Sequence, residues 1–194
     1  IRQMCKRAAE HWECKPEEVK FDDGVFSRNG TKLTFKEMAA KVQTSGEPIV
    51  ARASVDPQGA TNGFGVHICD LEVDPDTGKT KVLRYTTVQD AGKAVHPSYV
   101  EGQMQGGTVQ GIGWALNEEY IYRKDGTVDN PGFLDYRMPV CSDLPMLDCI
   151  MVEIPNPKHP QGVKGVGEVP LVPVMAAVAN AIYNALGKRF YALP

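Results

Sequence analysis

The 194-residue chain has no concentration of positive charge. No run of Lys or Arg exceeds two residues, and 21 basic against 24 acidic residues leave a formal charge of −3. Nucleic-acid binding relies on clustered cations that displace phosphate counterions, so that class is excluded. Close cysteine pairs are also missing. Cys5, Cys14, Cys69, Cys141 and Cys149 are odd in number, and no two are separated by two residues. A zinc or iron–sulfur site needs one turn to deliver two thiolates to one metal. The four histidines, His11, His67, His96 and His159, are equally scattered, so no protein-ligated metal is expected. The thiols read as small, half-buried groups of a reducing compartment, the cytoplasm. Long apolar runs are scarce. The longest, Val169 to Ala179, contains two prolines and falls short of the ~20 residues of a spanning helix, so no membrane partner is expected. Ile1-Arg-Gln-Met-Cys has no apolar region behind it, and no secretory signal is expected.

The length fits one domain or two small ones, at roughly 100–200 residues each, and suffices for a core without disulfides. Glycine and proline are abundant, 19 and 14 residues, above the usual ~12% together, which predicts many turns. Ile1, Met4, Cys5, Ala8, Ala9 and Trp12 fall on one helical stripe already in phase at the first residue. With no cap before it and no initiating Met, the chain reads as a piece of something longer.

Periodicity places the first helix up to Cys14. Short strands follow over Val19–Phe21 and Gly24–Phe26 around an Asp-Asp-Gly turn, with Arg28-Asn29-Gly30 as a second turn signal. Thr34-Phe-Lys-Glu37 is a capping box opening a helix to about Val42. Loops are expected over 44–48 and 56–65. Val66 to Val73 and Val82 to Val88 alternate around Asp74-Pro-Asp-Thr-Gly78 and predict a long antiparallel hairpin. A helix is expected over 98–116 despite five glycines, then a strand over 119–123, a short buried strand over 149–154, a long loop over 156–169, and a closing helix over 171–186 stopped by Gly187. Strands and helices mix without regular βαβ alternation, so the fold class is α+β.

Two segments invite chemistry. Gly102, Gly106, Gly107, Gly111 and Gly113 each cost a helix about 1 kcal/mol against alanine. They serve either tight helix packing or close approach of a large polar ligand, beside the amides of Gln103, Gln105 and Gln110. No Gly-Lys-Ser/Thr follows, so this is not a phosphate-binding loop of that type. In Lys164-Gly165-Val166-Gly167-Glu168-Val169-Pro170, an acid stands just before a helix. Glu168 is either a cap and dipole partner or a carboxylate base whose ionised form the helix N-terminus favours. Lys158 and Lys164 are either solvated loop charges or cations favouring that carboxylate.

Gly165-Val-Gly-Glu168, the segment Val100-Glu-Gly-Gln-Met-Gln-Gly-Gly-Thr-Val-Gln-Gly-Ile-Gly113 and Leu134-Asp-Tyr-Arg-Met-Pro139 occur together in the chain. With the hairpin over 66–88 and the loop Asp90-Ala-Gly-Lys-Ala-Val-His-Pro97, they resemble the C-terminal part of the molybdenum-binding large subunit of the xanthine dehydrogenase/aldehyde oxidase family. The likeness is weak before residue 60 and strong after it. It departs at His96, where the family usually has asparagine.

The resemblance implies a molybdenum hydroxylase acting on an aldehyde or N-heteroaromatic substrate, with an α+β fold of mixed antiparallel sheet and flanking helices over residues 1–194. Molybdenum is carried by a molybdopterin dithiolene. Glu168 matches the glutamate that takes the proton from the Mo-bound hydroxyl. Gln103 matches the glutamine that hydrogen-bonds the pterin, Asp90 starts a cofactor-side loop, and Val166 and Gly167 line the metal pocket. The expected partners are the upstream molybdenum-binding half of the subunit, [2Fe–2S] and FAD modules on other domains or subunits, and a small-molecule substrate. The chain alone is expected to be inactive. The alternative is a non-catalytic docking or scaffold domain.

Overall fold

The computed structural model describes residues 1–44, 46, 48–54 and 61–194. Ser45, Glu47 and residues 55–60, which fall in or beside the two early loops expected from sequence, lie outside them. The chain, expected as one α+β domain, divides into two compact units, Ile1–Asp56 and Pro57–Pro194.

In the first unit, α1 (Arg2–His11) buries Met4, Ala8 and Ala9, the predicted stripe. A 3₁₀ turn over Pro16–Glu18 leads into β1 (Lys20–Asp22), β2 (Val25–Arg28) and β3 (Thr31–Thr34), which pair antiparallel in that order. Both reversals are two-residue turns. Asp23-Gly24 and Asn29-Gly30 all have positive φ, the type I′ pattern whose twist matches paired strands. β3 is absent from the sequence expectation because only Leu33 of its four residues is apolar. The Asn-Gly turn, not hydrophobic alternation, pairs it. Thr34 then caps α2 (Phe35–Gln43) through the expected box. Its Oγ1 accepts from the Glu37 amide at 3.3 Å, and the Glu37 carboxylate accepts from the Thr34 amide at 2.8 Å. Met4, Ala8, Phe26, Met38 and Val42 close the core of this unit.

In the second unit, β4 (Gly65–Val73) and β5 (Thr80–Asp90) form the predicted hairpin, in register from Gly65↔Gln89 to Val73↔Thr80 with a bulge at Asp70/Leu71. β6 (Leu147–Val152) adds parallel to β5. It starts two residues before the strand expected over 149–154 and is half-buried rather than buried, because it forms a sheet edge with one open face. The expected strand over 119–123 reduces to one bridge, Tyr122↔Val128. The chain turns back on itself there, with Asp129 N donating to the Ile121 carbonyl at 2.7 Å and Arg123 N to the Thr127 carbonyl at 2.8 Å. The Asn130 side chain extends the pairing, accepting from the Ile121 amide at 3.0 Å and donating to the Glu119 carbonyl at 2.7 Å.

The helices α3 (Pro97–Leu116) and α4 (Val174–Leu186) complete this unit. Val82, Tyr85, Ile112, Ala115, Val174, Val178 and Ile182 are its core, and burying each larger aliphatic side chain contributes about 1.5–3 kcal/mol. The Thr87 and Thr108 hydroxyls, 2.8 Å apart and buried, tie β5 to α3. α4 begins three residues later than expected. Pro170 and Pro173 have no N–H to donate, so the first i→i−4 bond runs from Ala177 to the Pro173 carbonyl at 2.9 Å. Val169–Leu171 forms a 3₁₀ turn instead. Gly187, at φ +69°, ends the helix as expected. Counting unbroken runs understates this segment. Val169–Leu186 is long and apolar enough to cross a membrane by length and composition alone, since Asn180 and Asn184 interrupt the run without making the segment polar.

His67 points from β4 toward Tyr85. Its Nδ1 shares a 3.0 Å hydrogen bond with the Tyr85 hydroxyl, while Nε2 is buried without a partner among the described residues. Burial pushes its pKa down from 6.5 to about 4. Between those values the unfolded chain binds more protons than the folded one, so stability is complete above the upper value and declines toward the lower. Urea unfolding of the chain is expected to show a loss of roughly 2–3 kcal/mol across that window that His67→Gln removes. Identical pH profiles for the two proteins would exclude it.

Candidate functional site

The last residue of β5 organises one end of the second unit. Asp90 is fully buried. Its Oδ1 accepts from the Gly92 amide at 2.9 Å and the Ile154 amide at 3.3 Å, and its Oδ2 pairs with Lys164 Nζ at 2.5 Å. The Lys164 side chain is 7% exposed. Burial alone would raise the Asp90 carboxyl; the Lys164 ammonium and the two amides outweigh it and hold the group below the ordinary carboxylate range. A buried pair of this kind costs about 3–5 kcal/mol to break by removing one partner.

Backbone bonds extend the tie. Lys93 N donates to the Gly162 carbonyl at 2.8 Å, and Lys164 N donates to the Ala91 carbonyl at 3.1 Å. Gly92 pairs with Val163 as an antiparallel bridge. Gly92 must be glycine. Its φ is +62°, and a Cβ there would collide with the Gly162 carbonyl and approach the Lys164 amide to 2.8 Å.

α3 has two unlike glycine faces. A Cβ on Gly107 would meet Leu171 N and Pro170 at 3.2 Å, and one on Gly111 would fall inside the Val174 side chain. These two positions let α3 approach the segment that follows Glu168. Gly113 is likewise filled, by Glu118 and Pro139. Gly102 and Gly106 face open space, with nothing within 4 Å of where a Cβ would stand. Gln103 and Gln110 lie exposed on that same open side.

The structure brings the sequence-expected residues Gln103, Val166, Gly167 and Glu168 to one end of the unit. Gln103 Oε1 lies 3.8 Å from where a Cβ on Gly167 would stand. Gln103 and Val166 share a groove of about 200 Å³ with Ala91, His96, Tyr99 and Lys164. The His96 and Tyr99 rings stack there, with centroids 3.9 Å apart. Glu168 is exposed, and its carboxylate has no hydrogen bond or ion pair among the described residues. Larger concavities, about 570 and 670 Å³, lie around Leu116 and Asn117 at the far end of α3 and contain none of these residues. Among the described residues no group of three or more His, Cys, Asp and Glu side chains converges, and all five cysteines are unpaired.

Three expectations change. Asp90 is not presented to a ligand, because its acceptor positions are taken by groups of the chain itself. Lys164 is neither a solvated loop charge nor a partner of Glu168, because it is buried against Asp90; Lys158 is exposed. Glu168 does not sit at the N-terminus of a long helix. It precedes a three-residue 3₁₀ turn that it does not cap with its side chain, so the dipole argument loses most of its force. Sequence reasoning missed the Asp90–Lys164 tie, whose members are 74 positions apart. The signal was an isolated acid at a strand end and an isolated Lys before a Gly-x-Gly, neither of which has a local partner.

A family model described as the molybdopterin cofactor-binding domain matches residues 1–145. The gamma subunit of the 6-hydroxypseudooxynicotine dehydrogenase complex of Paenarthrobacter nicotinovorans is 35% identical over 96% of the chain and 25% of its own length. A putative xanthine dehydrogenase molybdenum-binding subunit of Escherichia coli K12 is 41% identical over 77% of the chain and 20% of its own length. Among solved structures, quinoline 2-oxidoreductase from Pseudomonas putida 86 superposes with a TM-score of 0.80 at 30% identity, covering 96% of this chain and 25% of that one. CO dehydrogenase from Oligotropha carboxidovorans does so with a TM-score of 0.81 at 30% identity, covering 95% and 24%. The chain thus spans about a quarter of the length of these relatives.

The two glycine faces of α3 separate packing from ligand approach. Gly111→Ala should destabilise the chain by about 1–3 kcal/mol, the cost of overpacking. Gly102→Ala and Gly106→Ala should stabilise it by roughly 0.5–1 kcal/mol each, yet lower cofactor content in the full-length protein. Urea unfolding and metal analysis read the two effects; normal cofactor content in both open-face variants would exclude ligand approach there.

Proposed function

The chain belongs to the molybdopterin cofactor-binding domain family, and from that premise we propose that it is part of a molybdenum hydroxylase that oxidatively hydroxylates an aldehyde or N-heteroaromatic substrate. The observation that carries this reading is the meeting of Gln103 and Gly167-Glu168, more than 60 positions apart in sequence, beside the open Gly102/Gly106 face. Those residues fit the cofactor. A pterin with its phosphates is large, polar and anionic, and an exposed helix face with two bare glycines and two free amides admits it closely and offers hydrogen bonds. Gln103 would hold the pterin, and Val166 and Gly167 would line the metal side. When bound, the cofactor supplies the two-electron oxidation.

Glu168 is the base in this proposal. A general base needs hydrogen-bond reach to the proton it removes and a fixed position. Its carboxylate is uncommitted to other groups of the described residues, so Oε can accept the proton of the hydroxyl group delivered to substrate. The loop is fixed on one side at Lys164 and on the other at Pro170, which is buried against Gly107. Electrons would leave through [2Fe–2S] and flavin modules on partner domains or subunits, since the dispersed cysteines of this chain match no cluster-binding spacing.

The reading of the chain as one part of the enzyme draws on its quarter share of the relatives' length. It also draws on exposed apolar residues such as Phe133 and Leu134, 92% and 89% accessible, which are the sort of surface a neighbouring domain covers. In the complete enzyme, with benzaldehyde and quinoline as probe substrates, Glu168→Gln should cost about 10²–10⁴ in turnover while molybdenum content stays normal. Near-normal turnover would sink the assignment of the base. The purified 194-residue chain should carry no molybdenum, and stoichiometric metal in it would show that the upstream half is not needed for binding.

A further inference from the structure

We propose that Asp90 and Lys164 are a positioning pair for Glu168: the buried ion pair ties the loop carrying the carboxylate to the end of β5, and neither member touches the reacting atoms. The catalytic half of this inference rests on the reading of Glu168 as base. The tie itself rests only on the geometry.

The carboxylate of Asp90 is immobilised from three sides. It sits at the last β5 position, opposite Val152 on β6, and binds the amides of Gly92 and Ile154 as well as Lys164. Lys164 is also where the backbone ladder between the two strand ends and the long loop stops. Beyond it, Gly165, Val166, Gly167 and Glu168 donate no backbone hydrogen bond among the described residues, until Pro170 and Leu171 seat on Gly107 of α3. The span is therefore held at its two ends. Two of its four residues are glycine, which has the most conformational freedom to lose, so its geometry depends on how firmly the ends are fixed.

An apolar pair of equal volume would hold the same ends together with equal or greater stability. What the charged pair adds is direction. The ammonium must sit on the line set by a carboxylate that two amides already orient, and this fixes the rotation of the chain as it enters Gly165. Displacement of a catalytic group by about 1 Å can lower turnover 100-fold.

The test uses the complete molybdenum-loaded enzyme with D90N, K164M and the double variant D90N/K164M. The single variants leave one buried group without its partner and should lose thermal stability. The double variant should recover most of that stability and retain molybdenum, with KM for benzaldehyde or quinoline within about threefold of the parent. Its kcat should nevertheless fall about 100-fold, and the hydrogen-bonded amides of Lys93 and Lys164, which join the loop to the end of β5, should exchange with deuterium at least about tenfold faster. A double variant with parental kcat and parental exchange at Lys93 and Lys164 would overturn the proposal. If Glu168→Gln keeps full turnover while the loop loosens in the double variant, the reading of the base fails and the tie stands. If Lys93 and Lys164 stay protected in the double variant, the tie fails whatever Glu168→Gln does. Should no variant assemble, the parent enzyme decides: the amides of Lys93 and Lys164 should exchange as slowly as those of β5, and fast exchange there would overturn the proposal.

Discussion

One buried carboxylate organises the functional end of the second unit. Asp90 closes β5, accepts from Gly92 and Ile154, and receives the only ammonium that reaches it among the described residues, that of Lys164. Each contact joins a different stretch of chain: the loop entering α3, the exit of β6, and the loop leading to Glu168. A neutral side chain of the same shape would accept one or two of these bonds but leave the ammonium uncompensated in the interior. The carboxylate is the one point at which the three stretches meet.

α3 divides its labour along its length and around its circumference. On one side Gly111 lets it approach Val174 more closely than a Cβ would permit, and Gly107 packs tightly against Pro170 and Leu171. On the other, Gly102 and Gly106 leave the backbone open, flanked by Gln103 and Gln110. The packed face sets where Pro170 sits, and Pro170 sets where the peptide after Glu168 sits. The open face then stands beside the same residues. Packing explains Gly107, Gly111 and Gly113 but not Gly102 and Gly106, which pack against nothing.

What could be read from sequence followed from local chemistry. The capping box at Thr34 and Glu37, the hairpin alternation over 66–88 and the glycine stop at Gly187 are each encoded within a few residues, and each appears where expected. β3 was illegible by hydrophobicity because a single Leu33 cannot show a period, although the Asn29-Gly30 turn implied a partner strand. The start of α4 was misplaced because two prolines three apart permit a 3₁₀ turn before the regular ladder begins. Gln103, Val166, Gly167 and Glu168 were singled out by their motifs, and the fold brings them to one end of the unit. Asp90 was found as a position but not as a role, because its partner lies 74 residues away and no short-range pattern encodes such a contact.

On the proposed reading, the shape of the site follows from how much of it this chain supplies. A pocket that buries a cofactor-sized ligand is about 300–1,000 Å³, whereas the groove beside Gln103 and Val166 is about 200 Å³ and Glu168 stands in solvent. A base that works on a developing charge gains from a dry, low-dielectric surrounding, and an exposed carboxylate has none. On the proposed reading the chain supplies one wall: a backbone face, two free amides and a carboxylate, with the apolar cover and opposite wall lent from elsewhere in the enzyme. Anchoring through a buried ion pair would suit such a wall, because the position of Glu168 would then be set within this unit and would not depend on the cover.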